Sequence, residues 1–203
     1  MSRFTKERLF LWGAFACLLA LLYIGVASIR KRSLTEFDVL LRRSRAERLG
    51  FTLPLSALNY RLEIKSDERV GYVTLKDITS PVVLVNFWAT FCPPCVEELP
   101  SLLAMARMFE QKGLLVLAIS YDDSFETIEE FFDEFTSAKI PKNFVVLRDP
   151  QLGGGDGLKG ILGTKKIPET YIIERQKILA RFVNARNWIE PAIIALFNGL
   201  LKK

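Results

Sequence analysis

The chain has 203 residues, half of them hydrophobic and a quarter charged, with a formal net charge of +5. Such a composition excludes a disordered chain, and the length suffices for an anchor plus one domain of roughly 150 residues with its own core. Histidine is absent. This excludes a Ser-His-Asp triad, a histidine metal site and a histidine general base, and leaves proton transfer to carboxylates, lysines or thiolates.

The charge is unevenly placed. Residues 1–50 carry ten Lys/Arg against four Asp/Glu, whereas residues 51–203 carry eighteen against nineteen. The basic excess therefore belongs to the N-terminal region. No basic domain face is expected, and so no nucleic-acid partner.

Residues 9–29 form an uncharged, mostly apolar run of twenty-one residues. At ~1.5 Å per residue it spans a ~30 Å hydrocarbon core, which predicts a transmembrane helix. A buried soluble helix and a cleaved signal peptide, with a weak small-x-small site at Gly25-Val26-Ala27, are the alternatives. Cys17 lies inside this run and reads as a small apolar residue facing lipid. Arg3, Lys6 and Arg8 precede the run, and Arg30, Lys31, Arg32, Arg42, Arg43, Arg45 and Arg48 follow it. Counted alone, these charges place the C-terminal domain in the cytoplasm. Residues 31–50 read as a basic juxtamembrane linker, amphipathic over 33–49 with Leu34, Phe37 and Leu41 on one stripe. A solvated linker helix fits equally well.

The domain is predicted over residues 51–203. Strand-like stretches at 60–64 and 70–75 flank a polar turn. Residues 82–87, Val-Val-Leu-Val-Asn-Phe, read as a fully buried central strand. A helix is expected from the cysteines to about Lys112, stopped by Gly113. A second buried strand follows at 114–120. Asp123 and Glu126 suggest a capping box opening an acidic helix to about Lys139. Strands at 144–147, 170–173 and 178–183 and a short helix at 158–162 follow. Asn187 and Glu190 cap a last helix with Pro191 in its first turn. This order calls for an α/β fold with a mixed central sheet flanked by helices.

The chemistry concentrates in Trp88-Ala89-Thr90-Phe91-Cys92-Pro93-Pro94-Cys95, at the junction of the central strand and its helix. Two thiols three apart at a helix start can close a small disulfide ring. The positive end of the helix favours the thiolate of Cys92, the attacking species in disulfide exchange, and Cys95 lies deeper and would resolve the mixed disulfide. Pro93 and Pro94 stiffen the ring and suit the first turn. Half of a zinc site would need two further ligands, absent without histidine or a third domain cysteine. A purely structural disulfide this short crosslinks almost nothing. Glu98 lies one turn beyond Cys95 on the same helix face, where burial would raise its pKa and let it exchange a proton near Cys95. A surface glutamate is the alternative, as expected for Glu97. Gly155-Asp156-Gly157-Leu158-Lys159-Gly160 matches a dinucleotide fingerprint but follows no strand, so it reads as a flexible loop. Pro168, before a strand, is better read as trans from the residues alone.

The segment from Val85 to Pro100 resembles the active-site segment of the membrane-anchored, thioredoxin-like TlpA, ResA and CcmG group, and the resemblance extends from about Phe51 to the C-terminus. It implies a thioredoxin-like fold and a thiol–disulfide oxidoreductase, most simply a reductase of specific protein disulfides in a pathway such as cytochrome c maturation. Cys92 would be the nucleophile, Cys95 the resolving thiol with a redox disulfide between them, and Glu98 the acid that tunes the pair. Trp88, Phe91, Pro93, Ile167 and Pro168 would form the substrate surface, with Pro168 cis and Ile167 offering backbone groups to an extended client. Pro100 matches a helix-kinking proline. Asn86 stands where thioredoxin carries a buried aspartate. Phe91 departs from the family's usual tryptophan.

The resemblance further implies protein thiol or disulfide substrates and a membrane thiol–disulfide electron donor, with no cofactor and no metal. It places the chain in the bacterial cytoplasmic membrane as a single-pass protein, its domain facing the periplasm or exterior, against the Lys/Arg count. A disulfide oxidase or isomerase on the same fold, and a copper-delivery module, are the alternatives.

Overall fold

A computed structural model of the chain describes residues 17–21, 35–151 and 157–202. The chain divides into two units, 1–35 and 36–203. Of the first, residues 17–21 and Thr35 are described; 17–21 are helical and exposed. Among the described residues no helix is long and apolar enough to cross a membrane. Most of the run predicted to span, 9–29, lies outside them, as do residues 152–156 of the glycine-rich loop.

The second unit begins earlier than the predicted boundary at residue 51. Helix α1, Glu36–Arg43, is followed by strand β1, Glu47–Thr52. The expected linker helix over 33–49 is thus corrected to a helix of two turns and an edge strand. Two features stop the helix. Ser44 turns its hydroxyl back onto the carbonyls of Leu40 and Leu41, at 2.9 and 3.0 Å, and Arg45 takes a left-handed φ of 55°, competing with helical continuation. Leu41 of the apolar stripe is 1% exposed, and α1 packs on the C-terminal helix of the same unit. Its apolar stripe therefore meets protein.

A short helix α2, Leu55–Leu58, leads to the hairpin β2, Leu62–Ser66, and β3, Arg69–Val73. The hairpin lies one to two residues away from its predicted position because Asp67, at φ 52°, supplies the turn. Strand β4 is Val82–Trp88, helix α3 Pro93–Phe109 and strand β5 Leu114–Ser120. All seven residues of β4 are buried, as its continuous apolar run demands. Beyond α3 a 3-10 turn carries the chain through Lys112 to Gly113, at φ 88°, the left-handed stop a glycine supplies.

Helix α4 is Phe125–Phe135 and strand β6 Phe144–Arg148. Ser124, one residue after the predicted Asp123, caps α4 by accepting from Thr127 N at 3.2 Å. Helix α5 is Leu158–Leu162. Strands β7, Glu169–Glu174, and β8, Lys177–Val183, join through Arg175 and Gln176, both at positive φ, as a two-residue hairpin turn requires. The last helix, α6, is Pro191–Leu200. Asn187 accepts from Ile189 N at 3.2 Å, shaping the approach to α6 in place of the expected cap.

The eight strands form one mixed sheet in the order β1-β8-β7-β4-β5-β6-β2-β3. Strands β4, β5 and β6 are parallel; β7, β8 and β1 extend the sheet antiparallel on one side, β2 and β3 on the other. Central β4 pairs Asn86 with Thr170 and Phe87 with Glu169 of β7. The end of β4 that leads to Cys92 thus meets the start of β7, just after Pro168. That register assembles the site.

Candidate active site

Cys92 and Cys95 form a disulfide with Cα atoms 5.3 Å apart. Cys92 is the N-cap of α3, with Pro93 and Pro94 opening the helix. Both cysteines are largely covered: Cys92 is 7% and Cys95 2% exposed. The two prolines carry no N–H, and Cys95 N donates to Cys92 O at 3.0 Å. Support for a Cys92 thiolate therefore comes from the partial positive charge of the helix end, with fewer free donors than a proline-free start would offer.

The loop before Cys92 is held by a group that was not apparent from the sequence. Asp122, 1% exposed, accepts from Thr90 N at 3.1 Å and Thr90 Oγ1 at 2.6 Å, and from Ser120 Oγ at 2.5 Å. It thereby ties the approach to Cys92 to the end of β5, fixing the nucleophile through its neighbours.

Glu98 is 3% exposed, one turn inside α3 from Cys95. Asn86 Nδ2 donates to its Oε1 at 2.9 Å and also to Thr170 Oγ1 at 2.9 Å. Its Oε2 accepts from Trp188 Nε1 at 3.1 Å and Arg186 N at 3.2 Å. Burial raises the Glu98 pKa to about 7, opposed by the donors from Asn86, Trp188 and Arg186 and by the Arg186 charge. A carboxyl so poised is part ionised at neutral pH and can take or give a proton.

The same shift fixes a pH dependence of stability. A folded pKa near 7 against an ordinary 4.5 means that the folded state holds this proton more tightly. The corresponding stabilisation is full below pH 4.5 and is lost as pH rises through about 7. Its size is about 3 kcal/mol. Chemical denaturation between pH 4 and 8 should show this decline in the oxidised protein and not in Glu98→Gln.

The Ile167–Pro168 peptide bond is cis, as the resemblance implied and against the reading from the residues alone. Pro168 is buried and Ile167 half-buried. The strand after them is pinned by a buried cluster: Glu169 accepts from Tyr171 OH at 2.5 Å and Thr164 Oγ1 at 3.1 Å. Beside Cys92, Phe91 is 70% exposed, and Pro93, Pro94 and Glu97 are also exposed. Pro100 sits within α3 without ending it.

Trp88 does not stand at the surface. It is 1% exposed, with ring centroids 5.7 Å from Phe131 and 5.6 Å from Phe132 of α4. Its expected contact with substrate is corrected to a core role: alternation along β4 directs it beneath α4. Besides Asp122, Arg186 and Trp188 were missed. Their segment is remote in sequence from Glu98, and only the bridge across the fold brings them together. Among the described residues no group of acid or thiol side chains is placed to hold a metal ion.

A mixed sheet carrying a Cys-Pro-Pro-Cys pair at a strand-to-helix junction, a cis-proline beside that junction and a buried acid behind it define a TlpA/ResA/CcmG-like protein of thioredoxin fold. The chain belongs to the AhpC/TSA family, whose model matches residues 51–182.

Among curated relatives, the thiol-disulfide oxidoreductase ResA of Oceanobacillus iheyensis is 35% identical over 73 residues, covering 36% of this chain and 38% of that protein. ResA of Bacillus anthracis is 24% identical over 103 residues, covering 51% and 54%. The matched segments thus span about half or less of these relatives. Among solved structures, a thiol:disulfide interchange protein DsbE from Chlorobium tepidum is 26% identical with a TM-score of 0.58, covering 76% of this chain and 99% of that one. A thiol:disulfide interchange protein from a Bacteroides species, 21% identical, reaches a TM-score of 0.57 over 77% of this chain and 92% of that one, which supports the fold.

Proposed function

We propose that the protein is a thiol–disulfide oxidoreductase that reduces protein disulfides through Cys92 and Cys95. The observation that carries this reading is the covered disulfide at the start of α3 with a buried, proton-accepting Glu98 one turn behind it. The names of the ResA and DsbE relatives support the same chemistry. In the reduced protein the Cys92 thiolate attacks a client disulfide and expels one client thiolate, which takes up a proton. Cys95 passes its proton to Glu98, and its thiolate attacks Cys92 Sγ. The second client sulfur leaves and is protonated, and the Cys92–Cys95 disulfide reforms. Two electrons have moved to the client, and a donor dithiol must restore the pair.

Phe91 offers an exposed apolar contact beside Cys92, and Ile167 lies next to the cis bond, where an extended client segment would pair. The N-terminal apolar run supports anchoring in the cytoplasmic membrane, and the resemblance supports a domain on the oxidising side, where protein disulfides persist. A membrane thiol–disulfide protein is the fitting donor. The resemblance to the TlpA, ResA and CcmG group points to cytochrome c maturation as the pathway.

Oxidase or isomerase function on the same site differs in the direction of electron flow, which reduction potential sets. Equilibration of the full-length protein in graded dithiothreitol or glutathione buffers tests the direction. A reductase is expected to poise below about −200 mV, whereas a value near that of DsbA, about −120 mV, would overturn the reductase reading in favour of an oxidase.

A further inference from the structure

Arg186 is tied to two places at once. Its backbone N–H donates to Glu98 Oε2 at 3.2 Å. Its guanidinium donates through Nη1 to Ser44 O, 3.1 Å away at the end of α1, and through Nη2 to Val183 O at 3.0 Å. The guanidinium also lies 4.3 Å from the ring centroid of Phe182 and 5.8 Å from that of Trp188. Trp188 is the second donor to Glu98 Oε2. Ser101, three residues along α3 from Glu98, closes the frame: its hydroxyl accepts from Trp188 N at 3.0 Å and donates to Glu98 O at 2.8 Å.

We propose that Arg186 is a positioning residue whose guanidinium fork couples the seating of α1 to the protonation of Glu98. This rests on the proton-transfer role given to Glu98 above. A planar guanidinium reaches two carbonyls in fixed directions while its charge stays beside the Phe182 ring, which a lysine cannot reproduce. Held this way, the 184–188 segment presents Arg186 N and Trp188 Nε1 to the same carboxylate oxygen. Both donors, and the nearby positive charge, favour the ionised acid. If α1 lifts, the guanidinium loses the Ser44 carbonyl and the frame around Oε2 loosens.

The groups facing this frame are few. Asn86 of β4 donates to Glu98 Oε1, Thr170 of β7 holds Asn86, and Cys95 precedes Glu98 by one turn. Arg45 and Glu190 act electrostatically on Arg186 with opposite signs. Leu41 of α1 is 1% exposed and its side chain carries no hydrogen-bonding group; its carbonyl accepts from Ser44 Oγ at 3.0 Å.

The test is a titration of the Glu98 side-chain carboxyl by carbon NMR in the oxidised full-length protein, where neither active-site thiol titrates. The wild-type midpoint is expected at about 7. Arg186→Ala and Arg186→Lys should each raise it, by about one pH unit for the alanine. Leu41→Ala should raise it in the same direction, and in the Arg186→Ala background should add nothing further. An unshifted midpoint in Arg186→Lys or in Leu41→Ala, or full additivity of the two alanine variants, would overturn the coupling. Should Arg186→Ala fail to fold, the lysine and Leu41 variants decide alone. Client exchange by Glu98→Gln, measured in parallel, separates the two ideas: an unchanged exchange rate removes the role of Glu98, whereas an unshifted midpoint removes only its link to Arg186.

Discussion

Replacing Glu98 by glutamine will slow release of a trapped client from Cys92 by about 10²-fold at pH 7, the lower end of what a positioned acid–base group supplies. Attack by Cys92 on a small disulfide should change far less. The asymmetry follows from position. Cys92 caps the helix, next to exposed Phe91 and Pro93, whereas Cys95 is 2% exposed and lies one turn from Glu98. In the proposed mechanism Cys95 loses its proton in a covered site, and Glu98, one turn along the helix with its pKa raised to about 7, would take it. Glutamine keeps the volume and part of the hydrogen bonding with Asn86 and Trp188 but cannot accept a proton. Stopped-flow measurement of both half-reactions separates the steps. Equal slowing of both would show that Glu98 acts on the fold of the site and not on Cys95.

Replacing Trp88 by alanine should destabilise the protein by about 3–5 kcal/mol, the usual cost of deleting a buried large aromatic. The ring fills the space between β4 and the Phe131–Phe132 face of α4. Trp88→Phe should cost much less, since the aromatic packing is retained, and the indole N–H that it removes has no hydrogen-bond partner among the described residues. Urea denaturation of the oxidised proteins measures both. A Trp88→Ala protein of near wild-type stability that has lost client binding would restore the substrate-surface role that its burial contradicts.

Much of the centre of the fold was legible in the sequence. Helix α5 falls where predicted, as does strand β5, and β4 extends its prediction by one residue; for the two strands, continuous apolar runs bounded by turn residues leave few alternatives. The edges were less legible. Strand β1 has only Leu49 and Phe51 to alternate with Arg48, Gly50 and Thr52, too short a pattern to mark a strand, and its pairing with β8 is a tertiary fact. Leu41 was legible as part of an apolar stripe over 33–49, but the C-terminal helix on which its helix packs was not.

At the site, the cysteines, Glu98 and Phe91 announced themselves through spacing and resemblance. Trp88 misled because it adjoins the motif in sequence while its side chain leaves the site. Arg186, Trp188 and Asp122 escaped because nothing in their local sequence reveals the partners they meet, 88, 90 and 32 residues away.

Dithiol exchange through Cys92 is tested most directly by trapping. In Cys95→Ala, Cys92 can still attack but nothing resolves the adduct, so cells producing this protein should accumulate mixed disulfides with client proteins. These should disappear on reduction and be absent from the Cys92→Ala, Cys95→Ala double variant. Adducts that depend on Cys92 are the predicted result. A Cys95→Ala protein that forms no Cys92-dependent adduct, in cells or with a model disulfide protein, would contradict the assignment.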